Sequence, residues 1–224
     1  MSIALLVPQW DPNAPKGCIE NMRDLAQGGT ADILAFLHSD VTDLEEDWQA
    51  KVESFFGVNP QCGLVGFGGA LGLGHRDIYK RPYQLQQLAR RNYFSAQRDW
   101  QTHGYLLTTP LRVAVLDGFA LVFRREAFEQ MGGWQPLLDA GLTYHCYDTW
   151  ACCMMARLGW ETWALPVKCW HHGGGVSTSG SYLEWLDAQG IAGDAEVHTK
   201  AHRIIYEEFR DVLPLEVVCQ SGRR

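Results

Sequence analysis

Several features of membrane-spanning and secreted proteins are missing from this sequence of 224 residues. No apolar run approaches the roughly 20 residues that a helix needs to cross a bilayer. The N-terminus, MSIALLVPQW, has no basic segment followed by a long apolar run, and no small-residue cleavage site. We therefore expect no membrane association, no signal peptide and a cytoplasmic location.

Paired cysteine motifs are missing as well. The chain has seven Cys, an odd number, and none of them shows CxxC spacing. This fits reduced thiols better than a disulfide framework or a zinc knuckle. The seven are Cys18, Cys62, Cys146, Cys152, Cys153, Cys169 and Cys219.

Basic charge is scarce, since 19 Lys and Arg stand against 26 Asp and Glu, for a net charge of −7. Binding to nucleic acid phosphates needs a basic surface, so this balance argues against nucleic acid as the main partner. One stretch is locally basic and reads either as the solvated face of a helix or as a binding surface. Its basic residues are Lys80, Arg81, Arg90, Arg91 and Arg98.

What is present is an ordinary globular composition, with 46% apolar and 20% charged residues. The length suits one domain with a substantial core. Nine Trp are many for this length. Such an excess usually reflects packing, although clefts that handle sugars also use aromatic faces.

The order of predicted elements indicates the fold class. Strands over 2–8, 33–37 and 63–67 alternate with helices over 18–27 and 43–56, and GGALGLG follows the third strand. This alternation predicts an α/β fold with a mostly parallel, Rossmann-like central sheet flanked by helices.

The second half continues the alternation. We predict that residues 78–103 are helical or form an excursion over the sheet. The later predictions are a strand over 113–123 that breaks at Asp117 and Gly118, helices over 124–131 and 148–158, a strand over 161–167, and helices from 181 onward.

The strand ILAFL runs directly into His38, Ser39 and Asp40. Polar residues here read either as a strand end reaching solvent or as a metal or phosphate site, since open α/β sheets bind ligands at the carboxyl ends of their strands. Mg²⁺ and Mn²⁺ prefer carboxylate oxygens and tolerate imidazole.

Three further segments carry candidate site residues. Asp117 and Gly118 interrupt an apolar strand, and a buried Asp there is either a structural link or a ligand holder. Asp148 is either the N-cap of the following helix or a general base. His171 and His172, which precede three glycines, are either surface residues or ligands on a mobile loop.

Taken in order over roughly residues 17–176, these segments resemble the family 2 glycosyltransferases of the GT-A fold. In that family the pattern runs FLxDD or FLHDD, then a DG strand followed by an arginine-led helix and GG, then YDxDxxxRxxxxG, then HxxG. The resemblance implies a GT-A-like domain over 1–180, with 181–224 as a helical extension packed on it.

The resemblance also implies an activity, which is transfer of a sugar from a nucleotide-sugar to a hydroxyl acceptor with inversion, assisted by Mn²⁺ or Mg²⁺. Asp40 then corresponds to the last metal-binding carboxylate of the family, and His38 stands where its first carboxylate would be. His171 or His172 is the later metal or phosphate contact. The segment His38-Ser39-Asp40 has one carboxylate, whereas the corresponding motif of that family often has two or three.

Roles for the other residues follow from the same resemblance. Asp148 is the general base for the acceptor hydroxyl. Asp117 and Gly118 line the donor-sugar and acceptor side, and Trp134 offers a ring face to a sugar. The usual first strand-helix-strand half is shortened, so either Asp11 takes over the nucleoside contact or that half-site is missing.

The partners stay open at this stage. A glycan, a protein or a hydroxylated DNA base would each serve as acceptor, the small size would suit a virus-encoded enzyme, and the oligomeric state, including a homodimer, is undetermined. An alternative is a non-catalytic protein that binds a nucleotide-sugar or glycan on the same fold. A nucleotidyltransferase ranks last, because GGALGLG lies late in the chain and has no Lys beside it.

Overall fold

A computed structural model describes residues 1–173 and 176–217. Gly174, Gly175 and Cys219, which belong to segments considered above, lie outside these ranges. The helices are α1 (Cys18–Ala26), α2 (Trp48–Val58), α3 (Trp100–His103), α4 (Arg125–Gln130), α5 (Gln135–Asp139), α6 (Tyr147–Leu158), α7 (Gly180–Asp187) and α8 (Asp194–Glu208).

The strands are short, and six of those in the described residues have only two residues each. They are β1 (Ile3–Leu6), β2 (Ile33–Leu37), β3 (Val41–Thr42), β4 (Cys62–Gly66), β5 (Gly68–Leu73), β6 (Arg90–Ser95), β7 (Tyr105–Leu106), β8 (Leu111–Arg112), β9 (Val115–Leu116), β10 (Ala120–Arg124), β11 (Glu161–Ala164), β12 (Trp170–His171) and β13 (Leu215–Glu216). Among the described residues, no helix is long and apolar enough to pass through a bilayer.

The central sheet has six strands in the order β1, β2, β10, β4, β11, β8. The strands β1, β2, β4 and β11 share one direction, whereas β10 and β8 run antiparallel to their neighbours. The predicted α/β class is therefore confirmed. The sheet is mixed, because β10 enters between two parallel strands and leaves only two parallel pairings.

Strand β2 shows why the continuous apolar run predicted a central strand. Ile33 and Leu37 pack in the same cluster as Val52 of α2, while Leu34 and Phe36 belong to the cluster on the other face. All five residues of β2 are at most 3% exposed. The strand is covered on both faces, so a polar residue can enter only where it ends.

The helical alternative for residues 78–103 is wrong for most of the segment. It holds a 3₁₀ turn over Leu85–Leu88, strand β6 and the short α3. Strand β6 pairs with β5, and β5 is formed by the glycine-rich segment itself. This second sheet, in the order β13, β5, β6, β7, lies beside the central sheet and carries Arg90.

Helix α2 begins five residues later than the pattern predicts. Val41 and Thr42 form β3, which pairs antiparallel with β12. Asp43 then has φ +50°, a left-handed conformation that an α-helix cannot include. Helix α1 and helix α6, which ends at Gly159 with φ +80°, match their predictions closely.

The last described stretch joins the main core. Ile205, Tyr206 and Phe209 lie in the same buried cluster as residues of β2, β10 and α6. Strand β13 pairs with β5, and Arg157 of α6 binds Glu208 and Asp211.

Candidate functional site

Two segments that are far apart in the sequence meet where β2 ends. Strand β12 pairs with β3 so that His171 lies opposite Val41. The His172 amide then donates to the Asp40 carbonyl oxygen at 3.2 Å. This short pairing brings the segment after β2 and the segment before the glycines together at the carboxyl end of the central strand.

Three side chains of these segments converge on one point, and we call them the HDH cluster: His38, Asp40 and His171. The distance from His38 Nδ1 to His171 Nε2 is 3.3 Å. Asp40 Oδ1 lies 3.5 Å from His171 Nε2 and 3.9 Å from His38 Nδ1. Two ring nitrogens and a carboxylate oxygen at these separations form a set that could hold a divalent cation.

The hydroxyl of Tyr147 holds the ring of His38. It is hydrogen-bonded to His38 Nε2 and lies 3.3 Å from the Gly118 carbonyl oxygen. The other ring nitrogen, Nδ1, faces Asp40 and His171. Such an outer contact on the second ring nitrogen is common at metal-binding histidines.

Gly118 allows this contact. A Cβ at this position would lie 2.9 Å from the Tyr147 hydroxyl, closer than any real side-chain carbon approaches. The absence of a side chain at Gly118 therefore lets Tyr147 come close to the backbone.

Packing also holds the two imidazoles. The His171 ring stacks on Phe119 at 4.9 Å between centroids, and the His38 amide donates to the Phe119 carbonyl oxygen at 2.9 Å. Burial lowers the pKa of His38, and the neighbouring His171 lowers it further. His38 is thus kept neutral at physiological pH, which is the form that binds metals.

A cavity of about 220 Å³ opens beside the HDH cluster. It takes walls from the loop after β1, from α1 and from the turn before α6. The described residues that line it are Pro8, Gln9, Trp10, Lys16, Cys18, Asn21, His38, Ser39, Asp40, Tyr144, His145, Tyr147, His171, Val176 and Ser177.

Trp10 and Tyr144 are the aromatic walls of this cavity. The Trp10 indole donates to Ser181 Oγ at 2.9 Å and packs edge-on against Tyr182. The expectation that Trp134 offers a ring face to a sugar is wrong. Trp134 is 1% exposed because it packs against Phe36 in the core.

His172 and Asp11, both predicted site residues, lie outside the HDH cluster and outside the lining of the cavity. His172 is exposed, its Nε2 is 2.9 Å from Thr42 Oγ1, and its ring stacks on Trp170 at 4.0 Å. Asp11 is also exposed, and its carboxylate accepts from the Asn13 amide at 2.8 Å within its own turn. Its neighbour Trp10 lines the cavity in its place.

Asp148 is 7% exposed, and other groups hold both of its carboxylate oxygens. Oδ2 accepts from Arg90 at 2.6 Å, and Oδ1 accepts from the Thr149 amide at 2.6 Å. Burial raises the pKa of Asp148, but the Arg90 charge and these hydrogen bonds outweigh it, so the pKa is lowered. The N-cap of α6 is Cys146, so the N-cap interpretation of Asp148 is wrong.

Arg90 links the two aspartates of the site. Its guanidinium also lies 3.8 Å from Asp117 Oδ2, and that oxygen accepts from the Tyr93 hydroxyl at 3.1 Å. Asp117 and Asp148 therefore share one cation at the start of β6. The Asp148 carboxylate lies outside the lining of the cavity described above.

Sequence reasoning missed Arg90, Tyr147 and Trp10. The sequence predicts Arg90 on a helix face or on a basic binding surface, whereas it lies on β6. Tyr147 immediately precedes Asp148 in the YD pair, and Trp10 follows the first strand at the edge where sheet ligands bind. Those two positions were the available signals.

No protein-family model matches the chain, and no curated protein sequence is similar to it. Among solved structures, it is similar to GalNAc-T7 with UDP, GalNAc and Mn²⁺, at 16% identity and a TM-score of 0.47, over 77% of this chain and 35% of that one. It is also similar to the mannosyltransferase PcManGT from Pyrobaculum calidifontis in complex with GDP-Man and Mn²⁺, at 16% identity and a TM-score of 0.41, over 86% and 50%.

The chain therefore spans about a third and half of the lengths of these two proteins.

Proposed function

We propose that this chain is a GT-A-like glycosyltransferase that moves a sugar from a nucleotide-sugar to a hydroxyl acceptor, with inversion. The observation that carries the proposal is the HDH cluster, which combines two imidazoles and a carboxylate at the carboxyl end of the central strand, beside a cavity. Open α/β sheets bind their ligands at this edge.

The HDH cluster would hold a divalent cation through His38 Nδ1, Asp40 Oδ1 and His171 Nε2. When bound, the cation supplies Lewis-acid stabilisation of the diphosphate leaving group. Imidazole nitrogens suit Mn²⁺ better than Mg²⁺, which favours oxygen ligands. We therefore propose Mn²⁺, with Mg²⁺ as the weaker substitute, and His171 rather than His172 as the ligand.

The cavity beside the cluster would take the donor. Lys16 lies in its wall and offers a positive charge to a diphosphate, and Trp10 and Tyr144 offer aromatic contacts. Because the Asp11 carboxylate is used in its own turn, we propose that Gln9 and Trp10 of the same loop contact the nucleoside instead.

Asp148 is our proposal for the general base. Its lowered pKa keeps the carboxylate ionised at neutral pH. An acceptor hydroxyl would reach it from the side of Arg90, by displacing the guanidinium from Oδ2. Asp117 and Gly118 would then border the donor sugar and the acceptor, since Asp117 contacts the same guanidinium.

Transfer assays with a panel of nucleotide-sugars test the function. The acceptors would be glycans, a protein and hydroxymethylated DNA, each with Mn²⁺ or with a chelator. We expect Mn²⁺-dependent transfer to one class, with large losses in His171→Ala and in Asp40→Asn. His172→Ala is the matched control, because it removes the adjacent imidazole, and it should keep its activity.

Replacement of Asp148 by Asn tests the base separately. We expect Asp148→Asn to abolish transfer while Mn²⁺ binding stays unchanged, because the HDH cluster is left intact. Transfer that survives within a few-fold would mean that another group accepts the proton.

One observation favours a second candidate, a non-catalytic protein that binds a nucleotide-sugar or glycan. Both oxygens of Asp148 are engaged by protein groups, as in a structural ion pair. Such a protein would bind free sugar without metal and would show no donor turnover. Calorimetry with free sugars and with nucleotide-sugars, with and without Mn²⁺, separates the two candidates.

A further inference from the structure

A second group of metal-ligating side chains lies between the start of α6 and helix α8. Cys146 is the residue before α6, and His198 and His202 are four residues apart, on one face of α8. One ligand atom from each of the three lies within 4.8 Å of the others. None of the three belongs to the HDH cluster.

His198 is oriented as a metal ligand would be. Its Nδ1 lies 3.9 Å from Cys146 Sγ, and its Nε2 lies 3.8 Å from Asp194 Oδ2. The outer nitrogen thus lies beside a carboxylate while Nδ1 faces the sulfur, which is an arrangement common at metal-binding histidines. Asp194 is itself held, because its Oδ1 accepts from the Tyr182 hydroxyl at 2.8 Å.

His202 supplies an independent observation. Its Nδ1 is buried and has no hydrogen-bond partner among the described residues. Buried polar atoms in native proteins almost always have a partner, so this nitrogen needs an explanation. A thiol-to-imidazole hydrogen bond would account for Cys146 and His198, but it would not account for the third side chain.

The donor set points to one kind of ion. A thiolate and two imidazoles suit Zn²⁺, which takes four ligands in a tetrahedron. Zinc bond lengths of about 2.3 Å to sulfur and about 2.0 Å to nitrogen place these atoms about 3.6 Å apart. The Cys146 to His198 separation of 3.9 Å is close to that value.

We propose that Cys146, His198 and His202 bind a zinc ion, with a water molecule in the fourth position. The ion would tie α8 to the turn that carries His145 and Tyr147, both of which line the cavity. It would thereby position Tyr147, which fixes His38. The proposal does not depend on glycosyl transfer.

Zinc binds the thiolate form of cysteine, whereas a free cysteine thiol carries its proton at neutral pH. Zinc binding would therefore replace the thiol proton and release it to solvent. This release also separates the site from the HDH cluster, which has no thiol among its three members.

The test uses Co²⁺ as a spectroscopic probe in the full-length chain, stripped of metal and kept reduced. A cobalt ion bound to a thiolate gives a charge-transfer band in the near ultraviolet, and imidazole and carboxylate ligands alone do not. We expect the band to saturate at one Co²⁺ per chain and to disappear when Zn²⁺ is added. It should be unchanged in His171→Ala, which breaks the HDH cluster.

Variants assign the band to these residues. Cys146→Ser should lose it, and His198→Gln and His202→Gln should weaken Co²⁺ binding about 10-fold or more. Cys18→Ser is the matched control, because Cys18 is another partly buried thiol and lines the neighbouring cavity, and it should keep the band. If Cys146→Ser fails to fold, Co²⁺ binding by His198→Gln tests the assignment instead, since the His198 side chain is 42% exposed.

The proposal would be overturned by a wild-type chain that shows no saturable band. It would also be overturned by a band that survives in Cys146→Ser, or by a His198→Gln variant that binds Co²⁺ as strongly as the wild type. Loss of the band in Cys18→Ser would assign the thiolate to the cavity instead. None of these Co²⁺ measurements depends on sugar transfer, so a failure of the proposed function would not change their outcome.

Discussion

Tyr147 shows how one hydroxyl can orient a histidine of the HDH cluster. It contacts His38 Nε2 and the Gly118 carbonyl oxygen, so the Nδ1 edge of the ring faces Asp40 and His171. Without this contact the imidazole would be free to turn. Under our proposal, a group that touches no metal therefore controls metal affinity.

We expect Tyr147→Phe to lower the affinity for Mn²⁺ about 10-fold, because Nε2 loses the hydroxyl that holds the ring with Nδ1 toward Asp40 and His171. Electron paramagnetic resonance of free Mn²⁺ during a titration measures this affinity. Tyr144→Phe is the control, since it removes a hydroxyl from the same cavity and should leave the affinity unchanged. Equal affinities for Tyr147→Phe and the wild type would contradict the role of the hydroxyl.

Arg90 is the second residue whose role is larger than its sequence context suggests. It stands between Asp117 and Asp148, and the Asp148 side chain is only 10% exposed. Without the guanidinium, a buried carboxylate would remain with no cation beside it. Such a group is costly to keep ionised.

We expect Arg90→Gln to lower the free energy of unfolding by about 1–3 kcal/mol at neutral pH. The Asp148 pKa is lowered in the folded protein, so the pair stabilises the fold above the unfolded carboxyl pKa, and this is lost as pH falls through the folded value. The deficit of Arg90→Gln should therefore shrink in acid, where Asp148 is protonated in both proteins.

Urea unfolding at neutral and acidic pH measures this difference. Arg91→Gln is the matched control on the same strand, because its partner Glu216 is half exposed. It should change stability by less than about 1 kcal/mol at either pH. A deficit of Arg90→Gln that does not depend on pH would show that the Asp148 charge is not involved.

The local sequence was sufficient to predict those helices and strands in which the apolar pattern agreed with the residues that end the element. Strand β2 was predictable because every residue of ILAFL is apolar, and helix α6 because it ends at a glycine. Strands β3 and β12 were not predictable. Each has two residues, and each is defined by pairing with a segment more than a hundred residues away.

The residues of the candidate site likewise divide into those that the sequence indicates and those that it does not. His38, Asp40 and His171 could be proposed together, because polar residues that follow strands collect at one edge of a sheet. The choice between His171 and His172 could not be made from HHGGG alone. It depends on the register of β12 against β3, which turns His172 toward Thr42. Arg90 could not be found, because nothing local marks β6 as a neighbour of α6.

Strand β5 explains the glycines of GGALGLG. A Cβ on Gly69 would lie 2.8 Å from the Val115 carbonyl oxygen. We therefore expect Gly69→Ala to lower the free energy of unfolding by about 1–3 kcal/mol through overpacking. Gly57→Ala is the control, because Gly57 lies in α2 with nothing within 4 Å of a new Cβ.

Gly57→Ala should stabilise the protein by about 0.5–1 kcal/mol, since alanine favours the helix. Chemical denaturation of both variants gives the comparison. The packing account of β5 would fail if Gly69→Ala were as stable as the wild type.

At the scale of the whole molecule, the segment after residue 180 supplies part of the core. Ile205 and Phe209 are fully buried, and Arg157 of α6 binds Glu208 and Asp211. We expect a chain that ends at residue 180 to lack the near-ultraviolet circular dichroism of the full chain and to aggregate. A soluble 1–180 fragment with native dichroism and one sharp unfolding transition would show that the segment is dispensable.

In our proposal the HDH cluster binds a divalent cation that holds a nucleotide diphosphate. Calorimetric titration with a panel of nucleoside diphosphates, with Mn²⁺ or with a chelator, tests this binding. We predict Mn²⁺-dependent binding of at least one nucleoside diphosphate by the wild type and by His172→Ala, and none by His171→Ala. Binding that is unchanged by the chelator, or that His171→Ala retains at full strength, would contradict the claim.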